Sequence, residues 1–291
     1  TKDMVTTWGT KGRETFRPGR DATSVARLRD AGAILLGKTN TPEFTLSFQT
    51  DNLVYGRTNN PYNLEMTPGG SSGGAAALIA ANAIPFDIGT DTGGSIRLPA
   101  HFCGISGLKP TTGRVPCTGN ALPSSGLIAP LSQVGPLARY VDDLDFLMSI
   151  IQGPDLMDPH TVDATERSSD DIDVTTLRIG FHTDNGIATP ALPIQNAILN
   201  AISLLKAEGF KVEEATPPGI EMASLIYSSL FGADGGETLQ MLLDDCRTQE
   251  YSPQIADLVP KPEQQNYQDA AMVINLWDNY RSSMLGYFEH H

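Results

Sequence analysis

Apolar residues recur along this chain with helical or strand spacing, and the stretches where each spacing holds define its predicted elements. Over residues 20–32, Val25, Leu28 and Ala31 share one face of a helix that Asp21 or Thr23 can cap and Gly32 can end. Residues 33–37 follow as a buried strand. The alanine-rich run 73–82 (GGAAALIAAN) predicts a helix, residues 84–88 a short buried strand, and residues 95–98 the start of a further short helix. A turn and strand are expected over 104–110. Residues 140–151 (YVDDLDFLMSII) make an amphipathic helix with acidic residues in the first turn, where the helix dipole favours them, and Gly153-Pro154 ends it. Strand, helix and returning strand are then predicted over 177–181, 193–208 and 211–213, a βαβ-like unit with Ile194, Ile198, Ile202 and Leu205 on one helix face. Residues 222–243 and 267–288 read as largely helical, the first interrupted at Gly232, Gly235 and Gly236. Two stretches lack either period. Residues 113–139 predict a Gly, Pro and Ser-rich surface loop that can line a substrate entry, and residues 155–175 an acidic surface connection.

Composition narrows the class. With 291 residues the chain can bury a core in one or two domains, and 40% hydrophobic against 19% charged residues describes a globular protein rather than a disordered one. No run approaches the roughly 18–20 apolar residues needed to span a bilayer, so no membrane segment is expected in it. The formal charge is −14, and it is unevenly placed: residues 1–150 hold 13 basic and 12 acidic side chains, the remainder 7 and 22. That balance argues against direct binding to nucleic acid, which requires a basic footprint. Cys103, Cys117 and Cys246 have neither metal-ligand spacing nor an even count, so a disulfide framework is not expected and a reducing, cytoplasmic setting is.

The candidate chemistry lies between Thr67 and Thr112. Gly69, Gly70, Gly73 and Gly74 surround Ser71 and Ser72, while Gly89, Gly93 and Gly94 approach Ser95. Such density implies loops with positive φ or close backbone approach. Ser71 and Ser72 precede a predicted helix, and Ser95 opens another, so free backbone N–H groups gather beside the Ser95 hydroxyl: an oxyanion hole in outline. A serine hydroxyl is a weak nucleophile at neutral pH, so Ser71 is the nearest group to relay its proton, with a base behind it. A nucleotide cradle is the competing reading, but neither loop continues into G-K-[ST] or has G-x-G-x-x-G spacing after a strand.

The segments GGSSGG and GTDTGGSIRLPAHFCGISGLKPT resemble the amidase signature family of serine hydrolases, with further likeness in MVTTWGT, GAILLGKTNTPEF and VGPLARYVDDLDFLMSIIQG. The resemblance implies an α/β fold with a mixed central β-sheet flanked by helices, spanning residues 1–291 as one domain incomplete at both ends. It implies a small-molecule amide substrate cleaved without metal or cofactor; a homodimer is compatible. The family triad of serine, cis-serine and lysine falls on Ser95 as nucleophile and Ser71 as bridging serine, with the N–H groups of Thr92, Gly93, Gly94 and Ser95 as oxyanion donors. The lysine belongs to a K-D pair about eight residues before the block that Met4 to Thr7 matches, which puts it upstream of residue 1 and makes Lys2-Asp3 coincidental. Of the nearby charged groups, Lys38 is expected to be structural, Asp91 and Arg97 to fix loop geometry, and His101 to lie on a different helix face from Ser95. The added residues 117–126 favour a stand-alone amidase. A protein like the A subunit of an amidotransferase, working with partner chains, and a non-catalytic relative are the alternatives. Met222, Tyr227, Phe231, Met241, Met272, Trp277, Tyr280 and Met284 suit either an acyl pocket or ordinary core packing.

Overall fold

The computed structural model describes residues 1–122, 126, 128–164, 172–259 and 267–290, of residues 267–270 the backbone alone. In chain order the elements are α1 (Thr23–Asp30), α2 (Gly73–Ala80), β1 (Phe86–Asp91), α3 (Arg97–Cys103), β2 (Ser106–Gly107), β3 (Gln133–Ala138) and α4 (Val141–Ile151). Then follow β4 (Arg178–Phe181), α5 (Leu192–Ala207), β5 (Lys211–Glu214), α6 (Ala223–Phe231), α7 (Glu237–Cys246) and α8 (Tyr267–Phe288). They divide into two compact units, Thr1–Ala164 with Asp234–Gln264, and Thr165–Ala233 with Gln265–His291.

The first unit is built on an antiparallel sheet of order β1-β3-β2, with β1 and β3 in register from Phe86 opposite Ala138 to Asp91 opposite Gln133. Val134 and Leu137, three positions apart on β3, point to opposite faces. Val134 packs with Leu28, Leu147 and Ile151 of α1 and α4; Leu137 packs with Ala76, Ile79, Ile96 and Cys103 around α2 and α3. Because both faces are covered, every residue of β3 is buried. This corrects the surface loop expected over 113–139. Burial on both faces removes the alternation that marks a strand, and Gly135-Pro136 in its middle reads as a turn. The sheet tolerates Pro136 because its carbonyl accepts from Leu108 N–H at 3.0 Å, and β2 stops at Gly107, before a rung that would need the missing proline N–H. Residues 123–125 and 127 of the same stretch lie outside the described residues.

Two arginines close helix ends in this unit. Arg27 of α1 donates through Nη1 to the carbonyls of Ile151, Gln152 and Gly153 at 2.7–2.8 Å and through Nη2 to Pro154 at 2.9 Å, occupying the orphan acceptors after α4. Arg139 Nη2 does the same for Ile79 and Ala80 at the end of α2. A third cluster joins Phe44 to Leu239, Leu243 and Cys246 of α7 and to Ile255. Beside it the buried Glu43 accepts from Ser252 N–H at 2.6 Å through Oε2.

In the second unit β4 and β5 pair in parallel through α5, the predicted strand–helix–strand arrangement, and α6 packs on α8. Ile202, Ile226 and Leu230 are its buried apolar residues among those described, and Tyr227 stacks on Phe231.

The α/β organisation is thus as expected, with antiparallel pairing in one unit and parallel pairing in the other. The strand predicted over 33–37 does not form among the described residues, and Ile34 and Leu36 are 85% and 72% exposed. An apolar run makes a strand only where a neighbour takes its backbone groups. The strand predicted at 84–88 runs two to three residues later, so the start of the expected GTDTGGS loop is the end of β1. No helix among the described residues is long and apolar enough to cross a membrane.

Candidate active site

Two loops meet on the α2/α3 side of the sheet: residues 67–72, leading into α2, and residues 92–96, joining β1 to α3. Ser72 N–H donates to the Ser95 carbonyl at 3.1 Å, which ties them backbone to backbone. Ser72 Oγ also donates to the Thr90 carbonyl at 3.5 Å. Ser71, Ser72 and Ser95 are all buried, and the Gly70–Ser71 peptide bond is cis.

Asp91, the fully buried last residue of β1, organises the second loop. Its Oδ1 accepts from Gly94 N–H and Arg97 Nη2, each at 2.8 Å. Its Oδ2 accepts from Ile96 N–H at 3.1 Å, Arg97 N–H at 3.2 Å and Arg97 Nε at 3.0 Å. Burial by itself pushes this carboxyl up, but the Arg97 guanidinium and the N–H donors outweigh it and hold Asp91 below the usual carboxylate range. Asp91 therefore stays ionised and caps α3, and the loop is fixed at its exit by charge-assisted bonds. Loop geometry is what the sequence assigned to Asp91 and Arg97.

At the loop's entry, Thr92 Oγ1 lies 2.8 Å from Ser132 Oγ, one step beyond the last β1–β3 rung. Ser132 Oγ is also within 3.4 Å of the Ile128 carbonyl, to which it can donate. Of the four N–H groups expected to form the oxyanion hole, that of Gly94 is engaged by Asp91. Those of Thr92, Gly93 and Ser95 donate to no protein group among the described residues.

Asparagines hold the first loop. Asn60 Nδ2 donates to the Phe102 carbonyl at 2.9 Å and the Thr67 carbonyl at 3.4 Å, as the turn cluster before the loop suggests. Asn40 accepts Gly74 N–H on its carbonyl at 3.2 Å, and Asn52 Nδ2 fixes Asn40 Oδ1 at 2.7 Å. Neither Asn40 nor Asn52 is singled out by sequence; the only signal is an asparagine in a turn-rich stretch, and its partners are non-local.

The other candidates stand apart from these loops' chemistry. Among the described residues no lysine bonds Ser71 or Ser95: Lys38 Nζ reaches Thr1 Oγ1 at 3.5 Å and Lys109 Nζ the Pro110 carbonyl at 2.7 Å, while Lys2 is exposed and only its backbone N–H is bonded, to Asp21. Burial and the like charge of Arg97 lower the Lys109 pKa. His101 is exposed on α3 against Phe102. Cys103 is a core residue whose thiol burial pushes up to about 11, away from the thiolate form a nucleophile needs. Met241 lies in the first unit and is 64% exposed, whereas Met222 and Met272 are exposed in the second, so these three do not form one buried acyl pocket within either unit. Among the described residues there is no cluster of three or more metal-ligating side chains.

The family model for Amidase matches residues 1–285. The chain is 41% identical over 243 residues to the A subunit of the glutamyl-tRNA(Gln) amidotransferase of a Roseiflexus species, covering 82% of this chain and 49% of that protein. For its counterpart in Thermus thermophilus the identity is 38% over 241 residues, covering 82% and 50%. Among solved structures, a 6-aminohexanoate cyclic dimer hydrolase bound to substrate aligns with a TM-score of 0.88 at 28% identity, over 99% of this chain and 62% of that one. A bacterial aryl acylamidase of the amidase signature enzymes aligns at 0.85 and 26%, over 100% and 62%. The α/β fold is that of the amidase class. The chain belongs to the amidase signature family, and it spans about half the length of the curated relatives it matches.

Proposed function

We propose that this chain carries the nucleophilic half of a serine amidohydrolase site that cleaves a carboxylic amide C–N bond through an acyl-enzyme on Ser95. The observation that carries the reading is the junction of the two loops, where Ser72 N–H holds the Ser95 carbonyl and Asp91 fixes the turn around Ser95. Ser95 Oγ attacks the substrate carbonyl while Ser71 takes its proton and passes it to a neutral lysine, then returns a proton to the departing amine. The N–H groups of Thr92, Gly93 and Ser95 donate to the developing oxyanion; Gly94 contributes by shaping the loop, its own N–H being held by Asp91. The family motif assigns the base to the lysine of a K-D pair upstream of residue 1, and among the described residues no lysine bonds either serine. A lysine acts as base only when its pKa is lowered from about 10.4, so activity favours neutral to alkaline pH. The substrate is a small-molecule amide, and no cofactor is invoked.

The test is covalent. In the complete protein that carries these residues, a fluorophosphonate should label Ser95, and Ser95→Ala should abolish both labelling and amide hydrolysis. Labelling at Ser72 or Cys103 in its place would sink the assignment. Lys2→Ala should leave the rate unchanged.

The identity to amidotransferase A subunits favours a second reading, in which the same Ser95 chemistry releases ammonia for a partner-bound acceptor. Co-purification of partner chains, with glutamine as the preferred amide, distinguishes it from a stand-alone amidase.

A further inference from the structure

Thr50 takes no part in the chemistry above, yet it is buried and its one hydroxyl spans the loop that carries Ser71. Its Oγ1 donates to the Gly69 carbonyl at 2.8 Å and accepts from Gly73 N–H at 3.2 Å. These two groups lie on either side of Gly70, Ser71 and Ser72, so a single atom closes the loop at both ends. The approach is built into the neighbouring residues. A Cβ on Gly73 would lie 2.3 Å from Thr50 Oγ1, and one on Gly70 would lie 2.7 Å from the Ser47 carbonyl, so the 47–50 segment fits only against glycines. Behind it, Asn52 binds Thr41 and Asn40, and the Asn40 carbonyl takes the N–H of Gly74, the next residue along the loop.

We propose that Thr50 is the positioning residue for Ser71: its hydroxyl, by bridging Gly69 O and Gly73 N–H, sets where the relay serine stands relative to Ser95. The proposal rests on the reading of Ser71 as the proton relay. With the hydroxyl removed, two buried backbone groups lose their partner and the loop shifts to satisfy them elsewhere. A displacement of about 1 Å between reacting groups costs up to about 10²-fold in rate.

The experiment compares the rate of fluorophosphonate labelling of Ser95, with the kcat and KM of amide hydrolysis, in the complete protein. Thr50→Val keeps the shape and deletes the hydroxyl; Thr50→Ser keeps the hydroxyl. The expected result is a fall of about 10- to 100-fold in kcat for Thr50→Val with KM little changed, and near-normal rates for Thr50→Ser. In a Ser71→Ala background Thr50→Val should cost nothing further, since its effect passes through Ser71. An equal loss with and without the Ser71 hydroxyl would mean a general structural role and overturn the proposal, as would a Thr50→Ser variant that folds but loses the rate. If Thr50→Val does not fold, Thr50→Ala in the same two backgrounds carries the same test. A slowed Ser71→Ala beside an unaffected Thr50→Val overturns the proposal alone, whereas an unchanged Ser71→Ala removes the relay reading on which it stands.

Discussion

Single residues in this chain act through backbone geometry and burial more than through charge at the surface. Gly94 has φ +126°, a left-handed value, while a Cβ there would meet only Leu98 Cβ at 4.0 Å. The space is available, so Gly94→Val should fold and fail through the backbone: the loop leaves its φ, and the N–H donors move. On the worth of one oxyanion donor, amide turnover should fall about 10²- to 10³-fold. Normal turnover by a folded variant would place the oxyanion hole elsewhere. Glu43 gives a pH prediction. Burial raises its pKa, offset in part by the Ser252 N–H, so the folded state holds its proton more tightly than the unfolded one. Its contribution is then fully present below the unfolded value of about 4.3 and is lost as pH rises through the folded pKa. Glu43→Gln should flatten the pH dependence of unfolding in that window and raise stability at neutral pH, measured by urea denaturation at several pH values. Asp91 works the other way. Its lowered pKa contributes stability above the unfolded value of about 3.9, lost as pH falls towards the folded one.

Elements are held here by cross-chain caps. Arg27 satisfies the carbonyl of Ile151, the last residue of α4, and those of Gln152, Gly153 and Pro154 after it. Arg27→Ala should cost about 1.5–3 kcal/mol, the range for bonds to a charged group, read as a shift in denaturation midpoint at constant slope. Arg27→Lys should recover little, because a compact ammonium cannot span the fan of acceptors that a guanidinium fork reaches. An unchanged midpoint for the alanine variant would show that water serves those carbonyls equally well. The helix periods of α1, α2, α4 and α5 are legible in sequence because each keeps a stripe or a run of apolar residues. The partner that caps each is not legible: Arg27 lies 124 residues from Ile151, and Arg139 lies 60 from Ile79.

At the scale of the molecule, the two units bury apolar residues unequally. The first has three buried clusters, including a strand covered on both faces; the second has Ile202, Ile226 and Leu230 among its described residues. Amide hydrogen exchange should accordingly be slower in β1 and β3 than in β4 and β5, since opening free energy follows buried contacts. Equal protection in both sheets would contradict this. Among the described residues, the acidic excess after residue 150 includes exposed positions such as Asp184, Glu208 and Glu221.

The sequence alone determined the family, the serines of both loops, most helices and the parallel strand pair of the second unit, because each is a local pattern: a glycine-flanked serine, a 3.6-residue stripe, a βαβ alternation. Tertiary structure decided the rest. It turned residues 133–138 from an apparent loop into the central strand, since coverage on two faces erases alternation, and among the described residues it formed no strand over 33–37, since pairing is a property of neighbours. It also gave Gly94 N–H to Asp91 and both ends of the Ser71 loop to Thr50. Those bonds depend on which backbone groups the folded chain brings within 3.5 Å, and no local spacing encodes that distance.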